Sequence, residues 1–175
     1  MATALGDRTD RKLLFAELTL NEIMNSQQFG SADDFERAHE ESYFYHIVGV
    51  KDSFLQEINE AYKLGLPQNK VKERALAEQL NANNLHSTEL DEIINLKSDS
   101  ASWLAIAIRL RNQGTHRTNI PRLFNEVVDS KTSSTRYFID PMTKQPLKTD
   151  IPTFMKQCLN ETKALVNRLR TTLPP

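Results

Sequence analysis

The chain has 175 residues, 22 Lys+Arg against 23 Asp+Glu, one cysteine and 39% apolar residues. That length suits one domain with a hydrophobic core, and no run approaches the ~18 apolar residues of a membrane span. Cys158 has no partner in the chain, which excludes an internal disulfide framework and a cysteine-based zinc cage.

The residues from Met1 to Phe15 carry dispersed charges and no apolar leader core, so a soluble cytoplasmic protein is expected. The net charge of −1 divides unevenly. Residues 30–60 hold eight acids against two bases, and residues 109–175 hold twelve bases against five acids. Two readings follow: the basic third meets phosphates by counterion release, or the two regions attract each other within the fold.

Helical periodicity runs through the first 113 residues. Over 8–29, Leu14, Leu18, Ile23 and Met24 suggest an apolar stripe, and Phe29-Gly30 ends the segment. Ser31 offers an N-cap, with Asp33, Asp34 and Glu36 favoured near a helix N-terminus. The following helix reaches about Leu64, with Phe44, Ile47, Val48, Phe54, Leu55, Ile58 and Tyr62 facing a core. Gly65-Leu66-Pro67 terminates it. Residues 69–81 and 87–97 read as shorter polar helices, the second capped by Ser87 or Thr88.

After Ser100-Ala101-Ser102, the run Trp103–Ile108 is apolar all round, as in a buried helix. It leads abruptly into Arg109-Leu110-Arg111-Asn112-Gln113-Gly114-Thr115-His116-Arg117. Pro121 stops the pattern, and segments 123–128 and 135–140 with their turns predict a small β-hairpin, an insertion over about 122–150. Residues 151–172 form a last helix, with Phe154, Cys158, Leu159, Leu165, Val166 and Leu169 on one face. Cys158 is then a small core residue. The expected fold is all-α: a four- to five-helix bundle, one domain over 1–175, with a hairpin before the C-terminal helix.

No Walker loop, dinucleotide fingerprint, serine elbow or zincin motif is present. Glu36-x-x-His39 has the spacing of a carboxylate-bridged metal helix, but no second copy exists, so no metal and no cofactor are expected. His39 and His46 read as a solvated or hydrogen-bonded pair. Arg111, Asn112 and His116 offer a permanent cation, an amide and a side chain that titrates near neutrality. Metal-free RNA cleavage uses such groups: His116 as general acid–base, Arg111 stabilising phosphate charge, Asn112 orienting, with Arg109 and Arg117 as phosphate contacts. On an ideal helix Arg111 and His116 lie about 140° apart. A distorted turn at Gly114, a reaching side chain or a second subunit would each reconcile them. The plain alternative is a helix end whose cations complement its dipole.

At Arg111, Asn112 and His116 the chain resembles the R-N-x-x-x-H form of the HEPN superfamily, the higher eukaryotes and prokaryotes nucleotide-binding domains. The layout of the aromatic-rich helix around Tyr43-Phe44-Tyr45-His46 and of the closing helix agrees. The resemblance implies a homodimeric helical bundle with metal-independent endoribonuclease activity on single-stranded or loop RNA. Such members serve as toxins or defence effectors, many paired with a nucleotidyltransferase-type antitoxin. It also allows a non-catalytic module that binds nucleotide, RNA or a protein partner. No membrane role is implied.

Overall fold

The computed structural model describes residues 4–26, 33–116, 119–125 and 135–174. In chain order they form helices α1 (Ala4–Ser26), α2 (Asp33–Ala61), α3 (Glu73–Ala82), α4 (Thr88–Ser98) and α5 (Trp103–His116). Strands β1 (Arg122–Asn125) and β2 (Thr135–Phe138) and helix α6 (Ile151–Arg170) follow. The architecture is a helical bundle with a small antiparallel hairpin before the last helix, as the sequence pattern predicts. Among the described helices none is long and apolar enough to cross a membrane.

Helix α2 is the axis. It packs along α1 and also touches α3, α4, α5 and α6. Phe44, Ile47, Val48, Phe54, Leu55 and Ile58 are buried along it, and the Tyr43 hydroxyl donates to the Met155 carbonyl of α6 at 2.5 Å. Helix α5, expected to be surrounded, is buried at Leu104, Ala105, Ala107 and Leu110 but only partly at Trp103, Ile106 and Ile108. An apolar run does not reveal which element sits in the middle, because α2 reaches that place by burying carboxylates against arginines.

The α1 stripe also differs from expectation. Leu13, Ala16, Leu20 and Ile23 face the core, whereas Leu14 and Leu18 are about half exposed. Two overlapping three- and four-residue spacings exist in this leucine-rich segment, and packing on α2 selects one of them. In α6 the expected face is the buried one, from Phe154 and Cys158 to Leu169. Burial pushes the Cys158 thiol well above its ordinary range, so it stays protonated.

Local chemistry sets the helix ends. Helix α2 stops at Ala61, and Lys63 and Gly65 take positive φ (53° and 69°), where glycine is at ease. Asn59 then fixes the turn by donating to and accepting from the backbone of Leu66 (3.0 and 3.1 Å). The helix expected from residue 69 begins only at Glu73, after a short 3-10 turn over Gln68–Lys70. Ser87 caps α4, Ser102 caps α5 and Asp150 caps α6, each side chain accepting a backbone N–H at 2.8–3.2 Å. The expected cap Ser31 lies outside the described residues.

In the hairpin, Arg122 pairs with Phe138 and Asn125 with Thr135. Residues 126–128, expected in the first strand, lie outside the described residues. Phe138 is fully buried edge-on to Phe44 and Phe154, with ring centroids 5.4 and 6.3 Å away. Ion pairs complete the attachment. Arg122 Nε donates to Glu40 Oε2 at 3.0 Å, and Nη2 lies 2.6 Å from that oxygen but off line for a hydrogen bond of its own. Nη1 donates to Asp33 at 2.6 Å, and Arg136 pairs with Glu36. Arg170 of α6 joins Glu57 of α2 and Asp10 of α1 at 2.9 and 2.7 Å. The acidic and basic regions therefore meet within one chain at these residues.

Burial pushes the Glu40 carboxyl up to about 7, against the lowering effect of Arg122. In the unfolded chain its value is near the ordinary 4.5. A raised carboxyl favours the fold fully below the unfolded value, and that contribution is lost as pH rises through about 7. Urea unfolding from pH 5 to pH 8 should therefore show a fall in stability on the order of 2 kcal/mol attributable to Glu40. Glu40→Gln should flatten this fall. An unchanged slope in the variant would show that another group sets it.

Candidate functional site

Helix α5 continues through Gly114 to His116. Gly114 lies close to α2: a Cβ there would meet Glu41 Cγ at 3.0 Å. Consecutive residues on such a helix diverge by about 100°. The structure shows the consequence, since Arg111 and Asn112 line different clefts.

Arg109 is held by the turn that follows the hairpin. Its Nε and Nη2 donate to the two carboxylate oxygens of Asp140 at 2.8 and 2.7 Å, and Nη2 also donates to the Ser100 carbonyl at 2.8 Å. Such a bidentate fork is the strong form of a charged hydrogen bond. Burial acts to raise the Asp140 carboxyl, but Arg109 and the Met142 N–H hold it below the usual carboxylate range. A phosphate approaching Arg109 has to compete with Asp140.

Arg111 points elsewhere. It lines a cleft of about 200 Å³ between α1, α2 and α5, together with Arg8 and Lys12 of α1 and Tyr45, Gly49, Asp52, Ser53 and Gln56 of α2; Gln68 adds to the wall. Arg8 and Lys12 are four residues apart and share a helix face. Lys12 Nζ stands 5.1 Å from the centre of the Tyr45 ring, a cation–π contact. Gly49 makes room for it, since a Cβ there would lie 2.8 Å from Lys12 Nζ. Arg111 Nε is buried with no hydrogen-bond partner among the described residues. Among those residues the three cations form no ion pair, while Asp52 of the same lining pairs with Lys51 at 2.8 Å.

Asn112 is exposed and lines a second cleft of about 210 Å³ with Arg109, Gln113, Pro141 and Met142. The His116 backbone ends α5; its side chain, and all of Arg117, lie outside the described residues. The structure thus groups Arg109 with Asn112 and separates both from Arg111. Sequence reasoning missed Arg8, Lys12 and Tyr45. The i,i+4 spacing of Arg8 and Lys12 was the available signal, but nothing in sequence tied that face of α1 to α5.

The other histidines have local roles. His39 Nδ1 is 2.8 Å from the Phe35 carbonyl of its own helix. His46 packs on Phe15 and Tyr45, and burial and then Lys12 hold it below its ordinary value, so it is neutral at pH 7. His39 and His46 are therefore engaged separately. Among the described residues no three His, Cys, Asp or Glu side chains come together as a metal site.

Compared with known proteins, residues 1–174 match the model of DUF6586, a family of unknown function. The chain matches no curated protein and no solved structure.

The Arg109–Asp140 fork ties α5 to the turn after β2, and Asp140 is 7% exposed. Asp140→Asn should destabilise the chain by about 3 kcal/mol, because it leaves a half-buried guanidinium without its counter-charge. Chemical denaturation of the two proteins at pH 7 measures this. A loss below about 0.5 kcal/mol would mean that water replaces the carboxylate at little cost.

Proposed function

We propose that this chain, which belongs to the DUF6586 family, is an RNA-binding module that takes phosphate in the cleft around Arg111. The observation that carries the reading is the set of three cations, Arg8, Lys12 and Arg111, converging from two helices without ion-pair partners among the described residues. Most other described arginines are committed to carboxylates, and the cations without such partners that line this cleft converge on one place. The exposed Tyr45 at the cleft adds an aromatic face on which an unstacked base can rest. The HEPN resemblance of Arg111-Asn112-x-x-x-His116 supports the same substrate class.

A second reading is metal-independent RNA cleavage, as a toxin or defence effector. It draws on the spacing of Asn112 and His116, four residues apart in the sequence of α5. General acid–base work by His116 together with charge stabilisation by Arg111 then calls for a second copy of the chain.

Labelled structured RNA, presented in chelator, tests both. Binding should weaken as salt rises, because cation–phosphate contacts release counterions. Arg8→Glu, on an exposed residue, and Arg111→Gln should each lower affinity about tenfold. Affinity that ignores both changes would sink the reading. Cleavage in chelator that disappears in His116→Ala would add the catalytic function, and intact RNA beside normal binding would remove it.

A further inference from the structure

We infer that the cleft is built for the terminal phosphate of an RNA strand, a phosphomonoester, in preference to an internal phosphodiester. The inference rests on the RNA-binding reading above and names the part of the ligand that enters. Size is the first argument. The cleft's volume of about 200 Å³ lies below the ~300 Å³ at which pockets begin to enclose drug-sized ligands. A phosphoryl group fits within that volume, with the rest of the strand outside it.

Charge is the second argument. Arg8, Lys12 and Arg111 face Asp52, which Lys51 already engages, so the lining carries an excess of two positive charges. A phosphomonoester carries about −1.5 to −2 at neutral pH, whereas each internal diester carries only one negative charge. The donors are suited to it as well. Arg111 Nε is buried and unpartnered among the described residues, and Ser53 supplies a hydroxyl to the lining. Tyr45, 54% exposed, stands where the terminal base would emerge, with Lys12 already over its ring.

Gly49 supplies an independent handle on the site. It lies inside α2, where alanine has the higher helix propensity. The nearest atoms a methyl group there would meet belong to the flexible end of Lys12, with Nζ at 2.8 Å and Cδ at 3.1 Å. Gly49→Ala therefore displaces the Lys12 ammonium while leaving the helix as stable or more so.

The experiment measures binding of one short single-stranded RNA in three forms: 5′-monophosphate, 3′-monophosphate, and hydroxyl at both ends. One phosphorylated form should bind about tenfold tighter than the hydroxyl form, and the two phosphorylated arms identify which end is read. Gly49→Ala and Arg8→Glu should erase this preference, with the melting temperature of Gly49→Ala unchanged or raised. Equal affinity for all three RNAs overturns the terminal-phosphate inference while leaving RNA binding in place. Absence of binding to any RNA overturns both. A preference that survives both variants assigns it to a different surface and overturns this site.

Discussion

A guanidinium on the hairpin and a carboxylate on the central helix, each almost fully buried, hold this fold in register. Arg122 of β1 and Glu40 of α2 have side chains 1% and 2% exposed, and Asp33 shares the same arginine. Desolvating both groups is costly, and their close contact compensates only when both partners stay in place. The pair therefore specifies where the hairpin sits on α2. Phe138 can then reach the ring cluster with Phe44 and Phe154, and Asp140 comes within reach of Arg109 on α5. At the other end of α2, Arg170 does similar work by joining Glu57 to Asp10. A helix rich in acids thus becomes the axis of the bundle, because the chain supplies arginines to meet them.

Charge pairing and packing together define the candidate site. Arg109, Arg122, Arg136, Arg168 and Arg170 are spent on carboxylates of the same chain. Arg8, Lys12 and Arg111 are not so engaged among the described residues, and the packing of α1 and α5 on α2 brings them to one cleft. The approach depends on a missing side chain. Gly49 leaves the space that the Lys12 ammonium occupies beside Tyr45. A motif read along one strip of sequence is accordingly divided, with Arg111 on the α1 side of α5 and Asn112 on the side of Pro141 and Met142.

Much of the fold was legible from pattern alone. The α2 and α6 faces, the break around Gly65, the Ser87 cap and the hairpin before the last helix follow from spacing and turn chemistry, which are local properties. The α1 face did not follow, since Leu13 and Leu14 begin two equally plausible stripes and only contact with α2 distinguishes them. The start of α3 at Glu73 was also hidden, because the 3-10 turn after Pro67 satisfies the same residues by a shorter hydrogen-bond pattern.

The sequence by itself determined an all-α bundle with one hairpin, a charge asymmetry and a polar stretch from Arg109 to Arg117 at the end of α5. Those conclusions rest on neighbours a few residues apart, where backbone geometry is known in advance. Only the tertiary structure decided which cations remain uncommitted. Glu40 and Arg122 are 82 residues apart in the chain, and Lys12 is nearly a hundred residues from Arg111. Whether a charge is neutralised depends on separations of a few ångströms, and periodicity carries no information about contacts made across that length of chain.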